Sequence, residues 1–235
     1  MPKVLVLGNS HCQALKPHVA KADDIEVHWV RSNKPGAPGD ISAEQGFAAA
    51  AALGPEDSLV LMRLGTMHNV IGLLNADPPF ALHDEGAGTG AQIIPRASLA
   101  AMIRAALERD RALPRYLREC RAKLFHIMPP RPKEDLSAVR LPPQAYRGRA
   151  VAEFGFAPGA HRLALWQLEE RILTDYLTEL GIIPLSDPPR ARTAAGFLHP
   201  DYWGDDATHA NPAYGALMLA LIGHQTAPAA QSQAS

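Results

Sequence analysis

The chain has 235 residues, with 23 Lys and Arg against 24 Asp and Glu, and its formal net charge at pH 7 is −1. This near neutrality excludes the strong basic excess that is typical of proteins binding nucleic acid or an anionic membrane surface. A chain of this length can bury a core without disulfides or metals, and its two cysteines are too few for a disulfide framework.

The amino-terminal residues do not form a signal peptide pattern, because one Lys and four apolar residues are followed directly by Gly8 and Asn9. No apolar run approaches the length of a membrane span. We therefore expect one domain over residues 1–225, a disordered tail over residues 226–235 and a cytoplasmic location.

Short apolar runs alternate with helical patterns along the chain. Runs typical of buried parallel strands occupy residues 4–7, 25–30, 58–63, 123–128 and 182–185. Helical patterns cover residues 11–22, 43–53, 96–107, 115–121, 161–180 and 211–222. The alternation predicts an α/β fold, a three-layer α/β/α sandwich around a central parallel sheet of about five strands.

The remaining segments are loops or carry no clear pattern. Residues 32–40 are dense in turn formers, residues 65–69 form the exit turn of the third strand, and residues 76–92 form an irregular loop. The glycine-rich run Gly86–Gly90 within that loop is a candidate lid. Residues 133–160 show no pattern that assigns them.

A hydroxyl stands where the first strand ends. Gly8 and Asn9 break the apolar run, and Ser10 follows at the start of a helical pattern. Open α/β sheets build their sites at the carboxyl ends of strands, and the first amides of a helix favour negative charge. Both features suit a nucleophile whose attack creates an oxyanion. The alternative is that Ser10 only caps the helix.

A candidate base lies near the carboxyl terminus, where Asp206 and His209 are three residues apart. On a helical turn this spacing puts both side chains on one face. A carboxylate that orients and charges an imidazole is what a general base acting on serine needs. Alternatively, Asp206 caps the last helix, or the two residues bind a metal together with Asp201, Asp205 and His199.

Together these motifs resemble those of the SGNH hydrolases, also called GDSL-type esterases and lipases. Gly8-Asn-Ser-His11 is similar to the family's first block and Asp206-Ala-Thr-His209 to its last, and the Pro-rich exit of the fourth strand at residues 129–132 also fits. The resemblance covers about residues 3–224. It implies an SGNH/flavodoxin-like fold and acyl transfer in which Ser10 is the nucleophile, His209 the base and Asp206 the group that orients the base.

The resemblance also implies an oxyanion hole, and here the sequence departs from the family pattern. The donors would be the amides of Ser10 and Gly39, with Gly36 a close second, and the side chain of Asn69. The family has GxND in its third block, whereas this chain has Gly65-Thr-Met-His-Asn69, so His68 is an alternative donor. In the first block, Asn9 stands where the family has Asp.

Three further residues are candidates for the pocket. His11 directly follows Ser10, and Trp203 lies shortly before Asp206. Arg63 stands at the end of a predicted strand, where it binds an anionic substrate group or pairs with a carboxylate.

The function expected from these residues is a serine esterase for small acyl esters, with acetyl esters on carbohydrate among the candidates. No cofactor, metal, nucleic acid or membrane partner is expected. One rival is an acyltransferase on the same fold, since some SGNH-like proteins of polysaccharide modification carry Gly-Asn before the nucleophile position. The other is a non-catalytic binding protein with a degraded site.

Overall fold

The central feature of the fold is a five-stranded parallel sheet. The structure is a computed structural model that describes residues 2–19, 24–32, 34–82, 91–141 and 148–227. Numbered in chain order, the strands of the sheet are β1 (Val4–Gly8), β2 (Ile25–Trp29), β3 (Ser58–Met62), β6 (Lys123–Ile127) and β7 (Ile183–Leu185). They lie in the order β2-β1-β3-β6-β7. Two further strands, β4 (Phe80–Leu82) and β5 (Gln92–Ile94), pair in parallel as a separate small sheet.

The helices connect these strands. In the described part of the chain they are α1 (Lys16–Val19), α2 (Ala43–Ala51), α3 (Met67–Gly72), α4 (Arg96–Glu108), α5 (Ala112–Glu119), α6 (Gly148–Phe154), α7 (Gly159–Glu179) and α8 (Pro212–Thr226). Short 3-10 turns occupy Ser10–Ala14, Pro189–Ala191 and Pro200–Tyr202.

The sheet carries a separate apolar core on each face. Because side chains alternate along a strand, Leu5 and Leu7 of β1 face one core and Val4 and Val6 face the other. The first core is completed by apolar residues of α2, α4, α5 and α7, and the second by residues of α8. Two helical layers therefore enclose the sheet, which confirms the predicted three-layer α/β/α architecture.

β1 has strand neighbours on both sides and is buried along its whole length. This explains its continuous run of apolar residues, because a parallel strand covered on both faces has no solvent side. All five predicted strands of the main sheet are confirmed to within one residue at each end. The predicted Ser42–Gln45 capping box at the start of α2 is also confirmed.

Several local predictions were wrong. Within its described part, residues 11–19, the predicted helix over 11–22 is not continuous, because a 3-10 turn over Ser10–Ala14 precedes the short α1. Pro17 stands in the first turn of α1, where the backbone needs no amide donor. The predicted exit turn at 65–69 contains the start of α3, and the predicted loop 76–92 contains β4 and the start of β5. Helix α5 begins at Ala112, earlier than expected.

The carboxyl-terminal prediction is also corrected in part. Helix α8 continues to Thr226, into the first residue of the segment expected to be disordered. Ala227 caps this helix, and residues 228–235 of the predicted tail lie outside the described residues, as does the candidate lid at Gly86–Gly90. None of the described helices is long and apolar enough to cross a membrane.

Candidate active site

Ser10 lies at the carboxyl end of β1 in a tightly tied turn. The Asn9 amide donates to the carbonyl of Met62 on β3 (2.9 Å), and the side-chain oxygen of Asn9 accepts from the amide of His11 (3.1 Å). A Cβ atom at Gly8 would lie 2.8 Å from that of Cys12, so this close approach requires glycine. Asn9 therefore caps the 3-10 turn with a short uncharged side chain, a task that an amide oxygen performs as an aspartate would.

Three side chains from opposite ends of the chain form a continuous hydrogen-bonded series. His209 Nε2 lies 2.7 Å from Ser10 Oγ, and His209 Nδ1 lies 2.6 Å from Asp206 Oδ2. An ionised carboxylate can only accept, so Nδ1 carries the proton and Ser10 Oγ–H donates to the lone pair of Nε2. This tautomer is the one that a base acting on serine requires. The side chains of His209 and Asp206 are only partly buried, at 32% and 42% exposure.

The loop that carries the base is folded around the same carboxylate. Asp206 Oδ1 accepts from the amides of Thr208 and His209, both at 2.8 Å. Burial alone would raise the pKa of Asp206, but the hydrogen bonds from the His209 side chain and from these amides outweigh it and hold that pKa well below its ordinary value. Residues 206–208 form a bend. The side chains of Asp206 and His209 therefore meet across an aspartate-capped turn, whereas the spacing argument was framed for a helical turn.

Lys133 supports this loop from below and was missed in the sequence. Its buried ammonium donates to the carbonyl of Gly204 (2.6 Å) and to the carbonyl of Asp206. Arg162, on α7, in turn donates to the carbonyl of Lys133 (2.8 Å). A cation bound to two carbonyls leaves no mark in a sequence pattern, because its partners lie about seventy residues away. Lys133 therefore positions the base without touching a reacting atom.

His11 packs against the candidate base. The ring centroids of His11 and His209 lie 4.5 Å apart. Burial, followed by repulsion from His209 and His68, lowers the pKa of His11 to about 3. The His11 imidazole is therefore uncharged at neutral pH, and it adds no positive charge beside His209.

A cavity of about 310 Å³ opens at the serine. Its lining combines the candidate triad with residues of α3 and of the loops at the sheet edge: Asn9, Ser10, His11, Thr66, Asn69, Leu73, Leu141, Asp206, Ala207, Thr208 and His209. The predicted pocket residue His11 and the predicted oxyanion donor Asn69 thus share this cavity with Ser10.

Asn69 lies on α3, and the first amides of this helix are bound by a carboxylate from a distant part of the chain. Glu169, fully buried on α7, accepts from the amides of Met67 (2.9 Å) and His68 (2.7 Å) and from His68 Nδ1 (2.8 Å). These amides begin α3, where an anion is favoured. His68 is therefore engaged beneath the cavity and does not line it.

The other predicted residues lie elsewhere. Gly39 packs against Arg31, where a Cβ atom would lie 2.4 Å from Arg31 Cγ. Gly36 lies three residues earlier in the same loop and is exposed. Trp203 donates from Nε1 to the carbonyl of Leu198 (2.8 Å), which anchors its loop. Neither glycine is among the residues that line the cavity, so the identity of the second oxyanion amide stays a prediction.

Arg63, the candidate anion ligand, pairs with Asp110 (Nη2 to Oδ2, 3.0 Å) and lines a different cavity. The alternative that residues near Asp206 bind a metal finds no support in geometry, since no group of three or more His, Cys, Asp or Glu side chains within the described residues could hold an ion.

Comparisons with known proteins give only distant likenesses. No family model and no curated protein matches the sequence. Among solved structures, a GDSL-like lipase from Bacteroides thetaiotaomicron is 14% identical, with a TM-score of 0.46 over 95% of this chain and 87% of that one. An extracellular lipase from Streptomyces rimosus is 9% identical, with a TM-score of 0.47 over 97% of this chain and 100% of that one.

An acyl-transferring protein is similar to the same extent. The periplasmic domain of a lipopolysaccharide acetyltransferase from Salmonella ser. Paratyphi A is 10% identical, with a TM-score of 0.48 over 96% of this chain and 84% of that one. Likenesses of this size define no substrate and no site residue for this chain.

Proposed function

We propose that this protein is a serine esterase of SGNH type that hydrolyses small acyl esters. The observation that carries the proposal is the Ser10–His209–Asp206 series, with contacts of 2.7 and 2.6 Å, at the mouth of a cavity. A serine, a histidine in the required tautomer and an orienting carboxylate are the parts of a nucleophilic acyl-transfer site.

The chemistry proceeds in two halves. Ser10 Oγ attacks the ester carbonyl carbon while its proton passes to His209 Nε2, and the carbonyl oxygen becomes an oxyanion. His209 then protonates the departing alcohol oxygen as the C–O bond breaks, which leaves an acyl group on Ser10. His209 then takes a proton from water as the water attacks the acyl carbon. It passes that proton to Ser10 Oγ as the bond between the acyl group and Oγ breaks, which releases the acid and restores the serine. Asp206 remains ionised throughout and stabilises the imidazolium.

Two donors are proposed for the oxyanion, namely the Ser10 amide and the side chain of Asn69. Asn69 lines the cavity with Ser10 and lies in the first turn of α3. Removal of one such donor lowers turnover by roughly 10²–10³ in serine hydrolases. Asn69→Ala should therefore reduce kcat strongly while the unfolding midpoint changes little, because the side chain is only half-buried.

The size of the cavity favours a short acyl group. About 310 Å³ is at the lower end of small-molecule sites, and Leu73 closes it as part of a small buried cluster with Leu136 and Ala207. The partial exposure of His209 leaves room for the alcohol portion to extend into solvent. Acetyl esters, including those on carbohydrate, fit these limits.

Covalent labelling tests the proposal directly. A fluorophosphonate should modify Ser10 in the folded protein, as located by peptide mass, and the adduct should be absent in Ser10→Ala and much slower to form in His209→Ala. Ser137→Ala is a suitable control, since Ser137 is exposed and bonds only within its own loop. No labelling, together with p-nitrophenyl acetate hydrolysis no faster than in Ser10→Ala, would refute the esterase.

An acyltransferase remains the second candidate, and Gly8-Asn9 before the serine favours it. The acyl-enzyme is common to both reactions, so the fate of that intermediate distinguishes them. A transferase would be identified by rapid acylation of Ser10 by a coenzyme A thioester. With an acceptor alcohol present the acyl group would pass to the alcohol, and free acid would be released only when the alcohol is withheld. If neither an ester nor a coenzyme A thioester acylates Ser10, the protein would instead be the non-catalytic binding protein.

A further inference from the structure

A second, larger cavity adjoins the nucleophile turn. It has a volume of about 610 Å³ and lies at the carboxyl ends of β1, β2 and β3, beside the starts of α2 and α5. Asn9 lines both this cavity and the one at Ser10. The proposed esterase mechanism uses none of the other residues in its wall.

The wall of this second cavity is rich in arginine. Four arginines line it, namely Arg31, Arg63, Arg111 and Arg115, and Glu44 is the one carboxylate among the described residues that line it. Arg115 is neutralised by Glu44 (2.7 Å) and Glu119 (3.0 Å), and it also stacks on Phe47, 4.0 Å from the ring centroid.

The positive charges in this wall are only partly compensated. Arg63 pairs with Asp110 through one Nη atom. Arg31 and Arg111 enter no ion pair within the described ranges of the chain. The cavity therefore retains a positive balance even after its internal ion pairs are counted.

Two buried donors in the same wall are unsatisfied. The Tyr116 side chain is only 1% exposed. Its hydroxyl oxygen lies against the Arg63 guanidinium, but its O–H finds no acceptor among the described residues. Arg63 Nε is likewise buried and without a partner among them. Buried donors are nearly always paired in folded proteins, so two orphans in the wall of one open cavity indicate a missing acceptor.

The chemistry of the missing acceptor follows from these donors. Burial raises the pKa of the Tyr116 hydroxyl, and Arg63 opposes this only in part, so the phenol keeps its proton and can donate. A carboxylate offers one charge and two oxygens. A phosphate offers nearly two charges and three strong acceptor oxygens, which suit a phenol, a guanidinium edge and two uncompensated arginines.

We propose that this second cavity binds the phosphate group of a ligand, with Tyr116 Oη and Arg63 Nε as buried donors and Arg31 and Arg111 as the balancing charges. The assignment goes beyond the proposed esterase activity and does not depend on it. Its place beside Asn9 allows a phosphorylated substrate to occupy both cavities.

Calorimetric titration with inorganic pyrophosphate, and with phosphate in parallel, tests the binding. Tyr116→Phe removes one oxygen and keeps the buried ring, so the protein should remain as stable as the wild type. Loss of a donor to a charged group should nevertheless weaken pyrophosphate binding by roughly tenfold. A double substitution, Arg31→Gln with Arg111→Gln, should weaken binding further and flatten its dependence on salt concentration.

Arg118→Gln is the matched control, because Arg118 is an exposed arginine on the same helix that does not line the cavity. It should bind pyrophosphate as the wild type does. Ser10→Ala should also bind normally, so a failure of the esterase chemistry and a failure of this site give different results. The proposal is overturned if the wild-type protein shows no binding, or if Tyr116→Phe binds as tightly as the wild type.

Once binding is measured, a kinetic experiment shows whether the phosphate belongs to the ester substrate or to a separate ligand. Acetylglycerol and acetylglycerol phosphate present the same ester without and with the anion. A higher kcat/KM for the phosphorylated ester, lost in Tyr116→Phe but retained in Arg118→Gln, assigns the phosphate to the substrate. Equal values for the two esters assign it to a separate ligand.

Discussion

Substitution of Gly215 by alanine should separate the base from the nucleophile. Gly215 is a buried residue in the first turn of α8, which begins three residues after His209. A Cβ atom there would lie 1.7 Å from the carbonyl oxygen of Ala14, 2.3 Å from its carbon and 2.9 Å from the amide nitrogen of Leu15. All three atoms are backbone atoms at the end of the 3-10 turn that carries Ser10, so none can rotate away.

The size of the effect follows from this overlap. Contacts below 3.0 Å are essentially never made by real Cβ atoms, so helix and turn must separate by more than an ångström. Overpacking of this kind typically costs about 1–3 kcal/mol in stability. A misplacement of about 1 Å in catalytic groups can cost about 10² in rate. Because the Ser10–His209 contact is only 2.7 Å, we expect both losses in Gly215→Ala.

The assay compares two alanine substitutions on one helix. Gly223 also lies in α8, but no atom of the described residues that could obstruct a Cβ atom lies within 4 Å of its position. Gly223→Ala should stabilise the protein by ~0.5–1 kcal/mol through helix propensity alone, with unchanged kcat/KM. Urea unfolding and p-nitrophenyl acetate hydrolysis measure both quantities. Equal stability and equal turnover in the two variants would refute the proposed role of the close contact.

Two further predictions concern buried polar groups. Burial is the main cause that lowers the pKa values of His11 and His126 from the ordinary 6.5 to about 3. As pH falls from 6.5 towards 3, these two histidines therefore bind protons in the unfolded chain but stay neutral in the folded protein. Each histidine should therefore remove roughly 1 kcal/mol of stability per pH unit within that window. His126→Gln keeps an acceptor for the Leu64 amide, so urea unfolding between pH 7 and pH 4.5 should show a shallower loss of stability in this variant. Equal slopes for the variant and the wild type would contradict this account. Glu169→Gln places an amide NH₂ against the backbone amides that begin α3, so it should lower stability by about 2–3 kcal/mol and, by displacing Asn69, lower kcat. Asp175→Asn, on the exposed side of the same helix, should change neither quantity. If kcat is unchanged in a destabilised Glu169→Gln protein, Glu169 does not position Asn69.

The sheet could be predicted from the sequence because its signal is local. Residues 4–7 and 59–62 are continuous apolar runs, and a strand buried on both faces has no other composition. The capping box at Ser42 and Gln45 is equally local, since donor and acceptor are three residues apart.

The errors occur where the stabilising partner is distant. Helix α3 has no side-chain cap of its own, and the carboxylate that accepts its first amides belongs to Glu169, about a hundred residues later. No window around Gly65 contains that information, so a turn was predicted instead. Lys133 is a similar case, since its partners are backbone carbonyls of a distant loop.

The candidate site was predictable in its chemistry more than in its geometry. Asp206 and His209 were placed together by their spacing, yet they meet through a capped bend and not a helical turn. Gly39 was chosen by analogy with a family pattern, and its contact with Arg31 could not be foreseen from its neighbours in the chain. Tyr116 and Arg63 came together only through tertiary structure.

The carboxylate of Asp206 links the conformation of its loop to the reactivity of His209. Its two oxygens accept from two amides of its own loop and from the imidazole, so the conformation of the loop and the tautomer of the base depend on one group. A partly frayed loop would lose both together, since an aspartate released from the amides no longer holds the ring. The opening free energy of this loop, and not that of the whole domain, then sets the fraction of molecules that are poised to react.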